Sequence, residues 1–205
     1  MLSESSPRTD SRRLECVAIQ RSAVFLDRDG TLIEDVDYLS DPSAIRFIPG
    51  AVEAVKRLRQ NGFACVIVTN QSGVGRGMMS HDQVHNVHAE MLRMLREQGA
   101  DLDGFYYCPV APVVGSESLI EHTDRKPGPG MLMKAALELN LDLQSSWMVG
   151  DKLSDVLAGR NAGCRAGIRL RTGKGRDADR ESAPYPEFAI VEDLAAAAAL
   201  ILAAD

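Results

Sequence analysis

Two patterns alternate along the chain. Apolar-rich runs at 22–27, 63–70, 103–108, 146–151 and 164–170 read as strands, the first two as buried ones. Between them, apolar residues recur three and four positions apart, as on one face of a helix. Val52, Val55 and Leu58 mark a helix over 51–62, stopped by Asn61-Gly62. Val84, Val87, Met91 and Leu95 mark another, opened by Ser80 and Gln83 as a capping box and running to Gln98 before Gly99. Further helices are expected over 129–139, near 152–161, and over the alanine-rich 194–204 behind Glu192 and Asp193. Repeated strand–helix units of this kind predict an α/β fold, a doubly wound and mostly parallel sheet with helices on both faces. Such sheets bind ligands beyond the carboxyl ends of their strands. Asp27, Thr69-Asn70 and Gly150-Asp151 stand at those ends.

Composition narrows the picture. At 205 residues the chain suits one compact domain, expected over 22–205 behind a flexible polar tail at 1–21. The net charge of −6 argues against a general nucleic-acid binder. The longest apolar stretch is too short for a bilayer, and the N-terminus lacks the apolar segment of an export signal, so no membrane partner is expected. Four widely spaced cysteines read as reduced thiols, which fits a cytoplasmic monomer.

The polar residues at the sheet edge carry the chemistry. Asp27, Asp29, Asp151 and Asp155 cannot all remain ionised together without a cation. Oxygen ligands of this type suit Mg²⁺, which commonly takes a few carboxylates plus waters and phosphate oxygens. Lys126 and the Thr69 hydroxyl then suit an anion opposite the metal. A metal, a lysine, a hydroxyl and a free carboxylate together describe phosphoryl transfer to an aspartate.

These motifs, "DRDGT" at 27–31, Thr69, "RKPGPG" around Lys126 and "GDKLSD" at 150–155, resemble in order the four signatures of the haloacid dehalogenase superfamily. "FLDRDGTLIEDVDYL", "IVTNQSGVGRG", "YYCP" and "RKPGPGML" extend the resemblance, from residue 22 to about 173, to its heptose-bisphosphate phosphatase branch. Histidinol-phosphate phosphatases share much of the pattern. The resemblance implies a Rossmann-like haloacid dehalogenase core and removal of the C7 phosphate from a sugar bisphosphate, on the route to nucleotide-activated heptose. It makes Asp27 the nucleophile, Asp29 the general acid/base, and Thr69 and Lys126 the phosphoryl-holding pair. Magnesium would lie between Asp27, the Asp29 carbonyl and Asp151, with Asp155 supporting indirectly. Its substrate-facing positions are Asp35, Val36, Asp37, Tyr38, Asn70, Gln71, Ser72, Arg125 and Lys152, with Arg125 expected on a second phosphate. Only about twenty residues separate Thr31 from the helix at 51, and about seventeen separate Cys108 from Lys126, so neither gap holds a cap domain. The 72–77 turn and the 109–124 loop should wall an open site.

One departure stands out. Many members carry Cys-x-His after the third strand and Cys-x-Cys before "RKP", closing a structural zinc site. Here the sequence reads Cys108-Pro109-Val110 and His122-Thr123-Asp124. Cys108, His122 and Asp124 leave a degenerate set that valine cannot complete, so zinc is not expected and packing or mobility must take its place. "GVGRG" at 73–77 has the wrong spacing for a dinucleotide loop. His81, His85 and His88 read as a polar helix flank. A phospho-receiver module would place its acidic pair before the acceptor, and a phospho-ligand binder would not need every motif residue.

Overall fold

The computed structural model describes residues 20–114 and 116–204. Six strands form one parallel sheet in the order β3-β2-β1-β4-β5-β6. They are β1 (Arg21–Leu26), β2 (Ala64–Asn70), β3 (Gly104–Cys108), β4 (Leu141–Gly150), β5 (Ala166–Leu170) and β6 (Ala189–Val191). The helices are α1 (Ala51–Gln60), α2 (Ser72–Gly75), α3 (His81–Glu97), α4 (Gly130–Leu139), α5 (Leu153–Ala162), α6 (Ala178–Ser182) and α7 (Leu194–Ala204). Winding runs one way from β1 to β3 and the other way from β4 to β6. The reversal between β1 and β4 opens a crevice at the carboxyl edge of the central strands.

Strand alternation sorts the core into two layers. Val24, Leu26, Cys65, Ile67, Trp147 and Val149 point to the side covered by α1, α3 and α7. Ala23, Phe25, Ala64, Val66, Val68 and Met148 point to the side covered by α4 and α5. Burial on both faces explains why these strands read as apolar runs. The Ser80–Gln83 capping box opens α3 as the sequence indicates, with Gln83 N donating to Ser80 Oγ at 3.1 Å and Ser80 N to Gln83 Oε1 at 2.8 Å.

Several features differ from the pattern reading. β1 begins at Arg21, whose guanidinium donates to Asp103 at 2.8 Å; the rest of the expected tail, apart from Gln20, lies outside the described residues. β4 starts five residues before the expected run, because its polar first half pairs with Arg21 and Ser22. A register shift follows, and Ser146 Oγ fills it by accepting the Ala23 N–H at 2.8 Å. The expected 72–77 turn contains the single-turn α2. β6 and α6 carry no apolar run long enough to mark them. No helix among the described residues is long and apolar enough to cross a membrane.

Candidate active site

Asp27 follows β1 directly, and its N–H donates to Val149 O on β4 at 3.0 Å. The chain then turns tightly, with Gly30 N bonded to Ile33 O at 2.8 Å. Gly30 has φ +84°, and an added Cβ would lie 2.3 Å from Asp151 Oδ2. Glycine is therefore required there, both for the backbone conformation and to admit the carboxylate from β4.

Lys126 is buried at the centre of the site. Its ammonium donates to Asp27 Oδ1 at 2.6 Å and to Val68 O at 2.8 Å, and lies 2.7 Å from Asp155 Oδ1 as an ion pair. Asn70 at the end of β2 holds the Lys126 backbone by a reciprocal pair, donating to its carbonyl and accepting from its N–H, each at 3.0 Å. Asp155 Oδ2 accepts the Lys152 N–H at 2.9 Å. Asp155 thus fixes both lysines, a more direct role than the indirect support expected of it.

Charge in this cluster is unbalanced in a specific way. Burial works to raise Asp27, but Lys126 and Lys152 outweigh it and hold the carboxyl below its usual range. Asp151 is pushed well above its ordinary value by burial, with the charges of Asp27 and Asp155 adding to it against Lys152. Burial also raises Asp155, with Lys126 opposing. Oxygens of Asp27, Asp151 and Asp155 lie within 4.8 Å of one another. Asp151 Oδ2 accepts the Lys174 N–H at 2.8 Å, while its buried Oδ1 has no hydrogen-bond partner. A hard divalent cation fits this donor set. It would satisfy the orphaned oxygen and offset the surplus negative charge.

Asp29 faces the other way. Its carboxylate takes a two-pronged contact from Arg28, with Nη2 2.9 Å from Oδ2, and a bond from Gln71 Nε2 at 3.0 Å. Gln71 Nε2 also reaches Thr69 Oγ1 at 3.0 Å, so one amide links the acid/base candidate to the hydroxyl. Arg28 is almost fully buried, and its third contact is His88 Nε2 at 3.2 Å. Burial, reinforced by Arg28, pushes the His88 pKa far down, so the ring is a neutral acceptor.

A cavity of about 140 Å³ adjoins Asp29. The segment 35–38 forms one wall, 70–72 another, and Lys152 with Lys174 a third. It shares Asp29, Asn70 and Lys152 with a smaller chamber holding Asp27, Thr69, Lys126 and Asp155. All but one of the sequence-predicted catalytic, substrate-facing and magnesium positions border these chambers or the carboxylate cluster. The exception is Arg125, which lines neither chamber; its guanidinium donates to Val110 O at 2.9 Å. Sequence reasoning missed Arg28, His88 and Lys174. Lys174 lies past the end of β5, where the strand-end rule could have found it, and it bridges Asp35 and Asp37 at 3.4 and 3.3 Å.

A buried aspartate at the end of the first strand, a lysine shared between two buried carboxylates, and a parallel sheet with no separate cap domain among the described residues are the features to set beside known proteins. Residues 24–85 match the haloacid dehalogenase-like hydrolase family model, and residues 123–197 match the HAD-hydrolase-like one. The chain belongs to the haloacid dehalogenase superfamily and is a phosphatase of that superfamily. It is 44% identical over 154 residues to the D-glycero-beta-D-manno-heptose-1,7-bisphosphate 7-phosphatase of Pasteurella multocida, covering 75% of this chain and 84% of that protein. The Yersinia pestis protein of the same name is 43% identical over 162 residues, covering 78% of this chain and 86% of that protein. Among solved structures, the D,D-heptose 1,7-bisphosphate phosphatase of B. bronchiseptica, complexed with magnesium and phosphate, superposes with a TM-score of 0.79 at 34% identity. That match covers 90% of this chain and 99% of that one.

Proposed function

We propose that this chain removes the C7 phosphate from D-glycero-D-manno-heptose 1,7-bisphosphate. The carrying observation is the arrangement of two connected chambers. The smaller holds Asp27, Thr69 and Lys126, which suit the reacting phosphoryl group. The larger, walled by 35–38, 70–72 and Lys152, offers polar groups to a sugar. The relatives named above supply the sugar's identity.

In this reading Lys126 holds Asp27 Oδ1 and so aims the other carboxylate oxygen at phosphorus. Asp27 displaces the C7 oxygen and becomes phosphorylated, while Asp29 supplies the proton the departing oxygen needs. Asp29 then takes a proton from water, which attacks the phospho-aspartate and releases phosphate. Arg28 and Gln71 orient Asp29 for both steps. Thr69 and Lys126 stabilise charge on the phosphoryl oxygens. Asp27, Asp151 and the Asp29 carbonyl, with Asp155 close by, would hold Mg²⁺, which would supply neutralising charge for the phosphoryl group.

The test is phosphate release in Mg²⁺ from both anomers of the heptose bisphosphate and from histidinol phosphate. The β anomer, named in the relatives, is expected to be turned over fastest. Preference for histidinol phosphate would overturn the substrate assignment.

A further inference from the structure

Val110 packs against the core, but beyond Pro112 the loop, at 113–114 and 116–124, buries no apolar side chain. Val113 and Val114 are 92% and 72% exposed, and Leu119 and Ile120 about half exposed, so burial of these side chains cannot fix it. Nor do its described residues bring three metal-ligating side chains together. Among the described residues the one cluster of possible metal ligands is Asp27, Asp151 and Asp155. Cys108 is fully buried, and burial keeps its thiol protonated by raising its pKa. His122 Nδ1 already accepts the Asp124 N–H at 3.1 Å.

Two glutamates take up the loop's backbone. The Glu121 carboxylate receives the N–H groups of Val113 and Val114 at 2.5 and 2.8 Å, one on each oxygen. Glu117 Oε2 receives the N–H of Leu153 at 2.9 Å, across 36 positions of sequence. Leu153 is the first residue of α5, where the N–H has no partner within the helix and the helix dipole favours an anion. Its neighbours Lys152 and Asp155 belong to the active site. At the loop's other end, Pro109 O accepts the N–H of Gly75 at 2.9 Å, on the helical turn that begins with Ser72.

We infer that residues 109–114 and 116–124 act as a metal-free strap joining two walls of the active site, and that Glu117 is a positioning residue that docks it on α5. Glu121 closes the strap on itself, giving it the shape from which Glu117 can reach. The strap holds the Ser72 side and the Lys152 side at a fixed separation, and the sugar-binding chamber lies between them.

The test compares Glu117→Ala and Glu121→Ala, singly and together, in the full Mg²⁺-loaded chain. Thermolysin cleavage within 109–124 is read without substrate, so it stands whether or not the heptose assignment holds. KM and kcat on the heptose bisphosphate form the second readout and rest on that assignment. Each single substitution should speed cleavage and raise KM by about tenfold, the scale of one charge-assisted hydrogen bond, with kcat changed less than about twofold. The double variant should add little, because one released strap cannot be released again. Glu117→Gln, which keeps an acceptor oxygen, should recover part of the loss. Unchanged cleavage in either single variant, or additive effects, would overturn the strap. Faster cleavage with unchanged KM would remove its positioning role. Metal analysis giving about one zinc per chain, whose removal frees the loop, would replace the glutamates with a metal.

Discussion

Replacing Gly30 with alanine tests whether the turn after β1 is shaped around Asp151. Two costs combine. The residue has φ +84°, and a left-handed backbone costs an L residue about 1–2 kcal/mol. The new Cβ would also lie 2.3 Å from Asp151 Oδ2, 2.7 Å from its Cγ and 3.1 Å from the Gly173 Cα, so a buried carboxylate or a backbone must shift. Overpacking of this kind adds about 1–3 kcal/mol, for a total of about 2–5 kcal/mol. Gly163→Ala is the control: φ is +85°, but nothing lies within 4 Å of its added Cβ, so only the backbone cost of about 1–2 kcal/mol applies. Urea unfolding, with m unchanged, should therefore separate the two variants by about 1–3 kcal/mol. Because Gly30→Ala displaces Asp151, it should also raise the Mg²⁺ concentration needed for half-maximal activity, whereas Gly163→Ala should not. Equal stability losses with an equal Mg²⁺ requirement would refute the argument.

Three further expectations follow from the site and the core. Asp27→Asn should abolish turnover with the fold intact, and Asp29→Asn should slow it by about 10²–10⁴-fold; near-normal kinetics in Asp27→Asn would exclude covalent transfer to that residue. His88 stays neutral when folded, with its pKa held below the ordinary 6.5, so the unfolded chain gains a proton that the folded one does not as pH falls. Stability should therefore drop below about pH 6.5 by roughly 1.4 kcal/mol per pH unit more than in His88→Gln, and parallel slopes would contradict this. Burial lifts the Cys65 and Cys164 thiols to about 12. In a Cys16→Ser, Cys164→Ser background at about pH 8 the buried Cys65 and Cys108 should resist Ellman's reagent until the protein unfolds; rapid labelling of the native chain would count against their burial.

The centre of the sheet was legible because β1, β2 and the second half of β4 are buried on both faces, which writes them as apolar runs. The first half of β4 was not, because Asp142, Gln144 and Ser145 give it a loop's composition while the edge of β1 gives it a partner. The reacting residues were legible because topology places strand ends together, whatever the intervening sequence. Arg28 and His88 were not, since their contact joins positions 60 residues apart and a buried arginine leaves no periodic trace. Arg125 was read from the family resemblance and its charge, whereas its guanidinium donates to the carbonyl of Val110. The brace at 109–124 was hidden for a similar reason. A glutamate that accepts backbone N–H groups looks in sequence like any other surface acid.

The bond from Asp27 N to Val149 O places the proposed nucleophile between the two strands at the middle of the sheet, where opening requires the whole domain to unfold. The proposed sugar-facing segments at 35–38 and 71–72 lie outside the strands. Chemistry and recognition thus rest on different parts of the fold. Substitutions in the walls can redirect which phosphate ester is accepted while the reacting carboxylates keep their alignment, so descendants of this scaffold could change substrate without passing through an unfolded or inert intermediate.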